Sequence, residues 1–160
     1  MKKLILIGFI GLIVMLAFSC GGANTNSGTA VPGSETNNTA NANPSYDPHR
    51  GEGKFTKVDI GATLDATMAE AGNKLYSVKC QACHKLTDEK LVGPGWKGVT
   101  SRHAAEWIMN FITNTDDMLN KDPKAQAQLE ICLVRMPNQN LTDEDARAIY
   151  EFQRKNDGVK

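Results

Sequence analysis

Cys80-Gln81-Ala82-Cys83-His84 sets two thiols two residues apart, with an imidazole directly behind the second. This is the attachment signature of a c-type haem. Each thiol can add to one haem vinyl group, and a short helical turn holds the sulfurs at the separation of the two vinyls. The same turn carries His84 beneath the iron as an axial ligand. Taken without the histidine, the cysteine pair also fits half of a zinc site or a thioredoxin-like redox pair. Zinc would need two further ligands, and only the scattered Cys132, His49 and His103 are on offer. A thioredoxin motif should follow a buried strand, whereas Cys80 follows an amphipathic helical pattern.

Upstream, Met68, Gly72, Leu75, Tyr76 and Lys79 recur at helical spacing from Asp65 into the motif. Gly72 weakens a helix interior, so its expected benefit is a close crossing with another helix. Residues 46–64 carry three glycines and a few apolar side chains and read as an irregular strap packed on the domain. His49, beside Pro48, reads as a surface histidine.

Residues 1–19 read as an export signal. Lys2 and Lys3 precede an uncharged apolar run from Leu4 to Phe18, short for a membrane span. The run ends in Leu16-Ala17-Phe18-Ser19-Cys20, which resembles a bacterial lipobox, so Cys20 is the expected lipid-bearing N-terminus. Several acyl chains anchor stably where one does not. Residues 20–45, rich in Gly, Asn, Thr and Ser, cannot bury enough surface to offset their ordering entropy and read as a flexible tether with a reach of roughly 25–30 Å. The expected location is outside the cytoplasm, on a bacterial membrane, with the haem domain facing the periplasm or the exterior.

Downstream, Lys85 to Thr100 holds Gly93, Pro94, Gly95 and Gly98 and reads as a loop. Ser101 is the expected cap of a helix through Thr113, whose buried stripe is Ala104, Trp107, Ile108, Phe111 and Ile112. Met109 falls off that stripe. Met118 ends the stretch Asn114-Thr115-Asp116-Asp117-Met118, read as a loop. Asp122-Pro123 reads as a cap and first-turn proline. The following helix presents Ala125, Leu129, Cys132 and Leu133 on one face and stops before Pro137. Cys132 is expected to be a buried, inert thiol. Thr142 and its three following acids open a last helix, with Ala146, Ile149 and Phe152 inward. No alternating strand pattern, repeat or phosphate-binding loop is present.

The segment 65–156 resembles the class I monohaem cytochromes c. The matching elements are Cys80 to His84, Gly93-Pro94, Met136-Pro137 before the last helix, and Gly72 and Tyr76 with Ile149 and Phe152 for the crossing of first and last helices. The resemblance implies an all-α domain wrapped around one covalently bound haem c. It implies thioethers at Cys80 and Cys83, His84 as the proximal iron ligand, the Pro94 carbonyl as acceptor for the histidine's other ring N–H, and Met136 as the sixth ligand. Met118 and Met109 are rival sixth ligands through their thioethers, and the His103 imidazole is a weaker rival. Gln153 stands where the family often has an apolar residue, and the strap has no counterpart in the minimal pattern.

Sixth-ligand closure implies an electron carrier and no enzyme, since no position is left for a substrate. The alternatives are a haem-based enzyme or gas sensor with a weak or open sixth position, and a haem-binding interaction module. Eighteen basic and eighteen acidic residues give zero formal charge, so nucleic acid is not an expected partner. Removing residues 1–19 takes two lysines and leaves a small negative balance. Lys74, Lys79, Lys85, Lys90 and Lys97 surround the motif, either as a field that orients a partner or as a solvated surface. The expected partners are redox proteins, such as an oxidase or a periplasmic reductase, and the expected state is a monomer.

Overall fold

The computed structural model describes residues 46–160. The export signal, Cys20 and the 20–45 tether lie outside the described residues. Among the described residues six helices follow one another: α1 (Ala66–Lys79), α2 (Val99–Arg102), α3 (Ala105–Thr113), α4 (Thr115–Lys121), α5 (Pro123–Cys132) and α6 (Asp143–Asn156). No strand occurs among the described residues, only an isolated bridge between His84 and Lys90.

The two longest helices are capped as their sequences dictate. Asp65 accepts from the Met68 N–H at 2.8 Å and starts α1. Thr142 and Asp145 form a reciprocal capping box at the start of α6. Acids crowd the first turn of α6, and Arg154 and Lys155 occupy its last, matching the helix dipole. The two helices then meet at Gly72, where a Cβ would lie 2.0 Å from the Ala148 carbonyl oxygen. Only hydrogen fits there, which is the physical basis of the expected crossing. Tyr76 packs on Phe152 and on Trp96, with ring centroids 5.4 Å and 5.0 Å apart.

Between these helices the chain departs from expectation in several places. The helix expected from Ser101 to Thr113 is two helices. Ser101 lies inside α2, and His103 and Ala104 are extended before α3 begins. The cause is at the far end of the chain. Asp157 accepts from the Gly98 N–H at 2.6 Å, the Thr100 N–H at 2.9 Å and the Thr100 hydroxyl at 2.7 Å. That carboxylate pins the start of α2 apart from α3.

Met118 belongs to α4 rather than to a loop, and it is fully buried. Asn114 with Asp116 and Asp117 in the first turn is as good a helix start as it is a loop. Met109 is also buried, because the strap covers the side of α3 away from the apolar stripe. Leu133 is not on a buried face. It is the left-handed residue that ends α5 (φ 60°), and 84% of its surface is exposed. The α5 start is as read, with Asp122 accepting from the Ala125 N–H at 2.8 Å and Pro123 in the first turn.

Residues 46–64 run without regular structure across α3, α4 and α6. Asn110 on α3 is their main anchor. Its amide donates to the Arg50 and Phe55 carbonyls and accepts from the Phe55 N–H, each at 2.9 Å. The Glu52 N–H donates to the Met118 sulfur at 3.0 Å, and the Val58 N–H to Glu106 at 2.8 Å. At the far end Glu151, fully buried, accepts from the Asp65 N–H and pairs with Arg147 and Arg154 at 2.5 Å and 2.7 Å. Arg154 also donates to the Gly61 carbonyl at 2.8 Å, so one ion cluster ties strap to helix.

Candidate functional site

α1 ends at Lys79, and the motif follows as a tight turn. The Cys83 and His84 N–H groups both donate to the Cys80 carbonyl at 3.0 Å. This compact turn brings His84 back under the loop that follows. The loop is held by its own backbone: the Gly93 N–H donates to the Cys83 carbonyl at 2.9 Å, and the Trp96 N–H to the Lys85 carbonyl at 2.9 Å. The Tyr76 hydroxyl donates to the His84 carbonyl at 2.7 Å.

The His84 ring is fixed from three sides. Its Nδ1 lies 2.9 Å from the Pro94 carbonyl oxygen. A carbonyl can only accept, so Nδ1 carries the proton and Nε2 keeps the lone pair. Trp96 packs at 5.7 Å, centroid to centroid. Gly93 lies so close that a Cβ would fall 2.3 Å from the ring Cε1. Burial lowers the His84 pKa, against a smaller opposing effect of the Pro94 hydrogen bond, which keeps the ring neutral. A neutral, oriented imidazole is the form that ligates a metal.

Cys80 is buried and Cys83 partly so, and neither is in a disulfide. Burial pushes the Cys80 thiol up to about 11, with Lys79 opposing and Cys83 adding to the shift. A thiol so shielded is a poor nucleophile once the domain has folded.

Cys83 and His84 border a cavity of about 390 Å³ whose opposite walls come from α3, α4 and the segment around α5. Its lining is mostly apolar and includes Ile108, Phe111, Ile112, Leu119 and Leu129. Met136, half-buried between α5 and α6, lines the same cavity. Met109 and Met118 do not line it. Met109 faces the strap beside Phe55 and Val58, and the Met118 sulfur is spent on Glu52. Cys132 is half-buried on the cavity wall, not sealed in the core as expected. Gln153 also reaches the wall and is buried, with its Oε1 bonded to no described residue.

His103 lines the cavity but is engaged elsewhere. It stacks on Trp107 with centroids 4.0 Å apart and planes 15° apart, and burial, helped by Lys124 and Arg102, pushes its pKa down to about 4. His49 is exposed and lies 3.7 Å from Glu106. No cluster of three or more metal-ligating His, Cys, Asp or Glu side chains occurs among the described residues.

Four of the five lysines near the motif have partners. Lys79 and Lys90 donate to the Gln139 and Ile131 carbonyls at 3.0 Å and 2.9 Å, bridging to the segments that flank Met136. Lys85 pairs with Glu89 at 2.7 Å, and Lys97 lies 4.0 Å from Asp88. These exposed pairs are weak.

The residues present fit a haem. A glycine that leaves room for an oriented histidine ring, two thiols at its side and an apolar cavity in front of it form a cradle for a flat apolar ring with a metal at its centre. The strap anchors Asn110 and Glu151 had no sequence signal beyond a polar residue on a helix face.

The comparisons with known proteins agree with that fit. The sequence model of the family described as Cytochrome c matches residues 69–156. A curated relative, cytochrome c-551 of Azotobacter vinelandii, is 31% identical over 84 residues, covering 52% of this chain and 94% of the relative. A solved cytochrome c from Rhodothermus marinus is 33% identical, with a TM-score of 0.64, covering 66% of this chain and 90% of that one. An engineered form of that cytochrome, bound to a carbene intermediate, is 32% identical with a TM-score of 0.60 over the same shares. The matched region begins inside α1, takes in the thiols, His84, the cavity and Met136, and ends with α6, and with it this chain belongs to the cytochrome c family, as an all-helical class I monohaem member that binds one covalently attached haem c for electron transfer.

Proposed function

We propose that this protein carries single electrons outside the cytoplasm while tethered to a membrane, with Cys80 and Cys83 in thioether bonds and His84 and Met136 as the two axial ligands. Bound haem c supplies a one-electron ferric–ferrous exchange; the chain supplies the rest. Pro94 orients His84 and makes its Nε2 more basic. Met136 offers a soft sulfur, which favours the ferrous state and raises the potential. Ile108, Ile112 and Leu129 exclude water from the cavity and so limit reorganisation.

The observation that carries the ligand assignment is selective placement. Of the three candidate methionines, Met136 alone shares a cavity with His84, and the other two are committed to the strap side. With both axial positions filled there is no place for a substrate, so partners are met at an exposed edge in a small transient contact. Those partners are redox proteins, and the working unit is a monomer. Tethering rests on the charged start, the apolar run and Cys20 in residues 1–20. No described helix is long and apolar enough to cross a membrane; the anchor in this reading is lipid on Cys20.

The rival reading, a haem enzyme or gas sensor, needs an open sixth position. Stopped-flow mixing of the reduced, haem-loaded protein with carbon monoxide separates the two. Slow or negligible binding is expected for wild type and rapid binding for Met136→Ala. Rapid binding by wild type would select the open-site reading instead.

A further inference from the structure

Behind the cavity wall lies a polar cluster that the haem site does not use. Asp122 is fully buried. Its Oδ2 accepts from the Trp107 indole N–H at 2.9 Å and from the Tyr46 hydroxyl, and its Oδ1 accepts from the Ala125 N–H at 2.8 Å. All three partners are donors. The indole and backbone N–H groups can only donate, and they engage both oxygens as acceptors, so the geometry suits a carboxylate. Among the described residues no lysine or arginine lies within ion-pairing distance of it. The adjacent Lys124 instead donates to the Pro48 carbonyl at 3.0 Å.

Trp107 is the link to the site. Its indole lines the cavity, lies between the stacked rings of His103 and Phe111, and donates its N–H to Asp122. We infer that Asp122 is a buried negative charge that holds down the potential of the haem iron, and that Tyr46 of the strap trims its strength by hydrogen bonding. A negative charge in a low-dielectric interior favours the more positive of two nearby states, here ferric over ferrous. A donor on that carboxylate spreads its charge and weakens the effect. His103, stacked on the same indole, is held neutral by burial and does not cancel it.

This assigns a tuning role to a residue that contacts neither iron nor thioether. It also makes the strap part of the redox device, through a side chain 76 positions from its partner. The inference rests on haem occupying the cavity but not on the identity of the sixth ligand.

The two ends of the cluster should act in opposite directions. Asp122→Asn removes the charge and should raise the midpoint potential. Tyr46→Phe leaves the charge with one donor fewer and should lower it. A general loosening of the cavity would move both variants the same way. The experiment is spectroelectrochemical titration of haem-loaded wild type, Asp122→Asn and Tyr46→Phe at one pH and ionic strength, with the Trp107 indole N–H followed by NMR. Asp122→Ser, which keeps a helix cap, replaces the asparagine variant if that one does not fold. Shifts of opposite sign, with the indole resonance displaced in both variants, are the expected result. An Asp122 variant at or below the wild-type potential, or Tyr46→Phe at or above it, overturns the inference. Loss of the methionine–iron absorption band in the wild-type sample would instead count against Met136 and leave this comparison intact.

Discussion

At the scale of single residues, the site depends on what surrounds His84 as much as on the histidine. Gly93 is the tightest of these neighbours. An alanine there would place its Cβ 2.3 Å from the ring, and the ring would have to leave the Pro94 carbonyl. Gly93→Ala is therefore expected to cut the yield of haem-loaded protein severalfold, read by haem staining against total protein. Unchanged yield and spectra would mean that the ring has room the geometry denies it. His84 illustrates how far a motif can be read. The five-residue signature points to His84 as the proposed ligand, and the Gly-Pro element to its hydrogen-bond partner, because both are short-range patterns with one chemical purpose. Asn110 and Asp122 are different. Each is a common polar residue whose importance comes only from burial and from donors or acceptors supplied by the strap, and no local pattern announces that.

Among the elements, the crossing of α1 and α6 carries the scaffold. Gly72→Ala would press a methyl group onto the Ala148 carbonyl at 2.0 Å, and backbone cannot swing away as a side chain can. Overpacking of this kind costs about 3 kcal/mol, to be measured by urea denaturation of the haem-loaded protein. A loss under 1 kcal/mol would show that the helices can part cheaply. The Glu151 cluster adds a pH signature. Burial raises the Glu151 pKa, but the Asp65 N–H, Arg147 and Arg154 outweigh it, and the net shift is below the ordinary value of 4.5. Its contribution to stability is thus complete above about pH 4.5 and fades as pH falls through the lower folded value. Glu151→Gln should cost about 3 kcal/mol at pH 7 and should flatten the acid limb of the stability profile; an acid limb identical to wild type would assign that loss of stability to other carboxylates. The helix starts at Asp122 and Thr142 were legible in the sequence because capping is decided within four residues. The break between α2 and α3 was not, since it is imposed by Asp157, 59 positions from Gly98. Nor was the burial of Met118 and Met109, which follows from a strap some fifty to sixty-six residues upstream.

For the whole molecule, the proposed reading is a haem domain held to a membrane by lipid on Cys20. The anchor is tested by Cys20→Ser, which should move the protein from the membrane pellet to the soluble fraction after cell lysis. A mutant that still pellets would show that something other than lipid on Cys20 holds it there. The strap is tied to α3, to Asp122 and to the α6 ion cluster, and what the domain does depends on whether both sides of the iron are filled. The direct measurement is the ferric optical spectrum of the haem-loaded protein, in which methionine sulfur on iron gives a weak absorption band toward the red. The band should be present in wild type, present in Met109→Leu and Met118→Leu, and absent in Met136→Ala. Its absence from wild type, or its survival in Met136→Ala, would contradict the account.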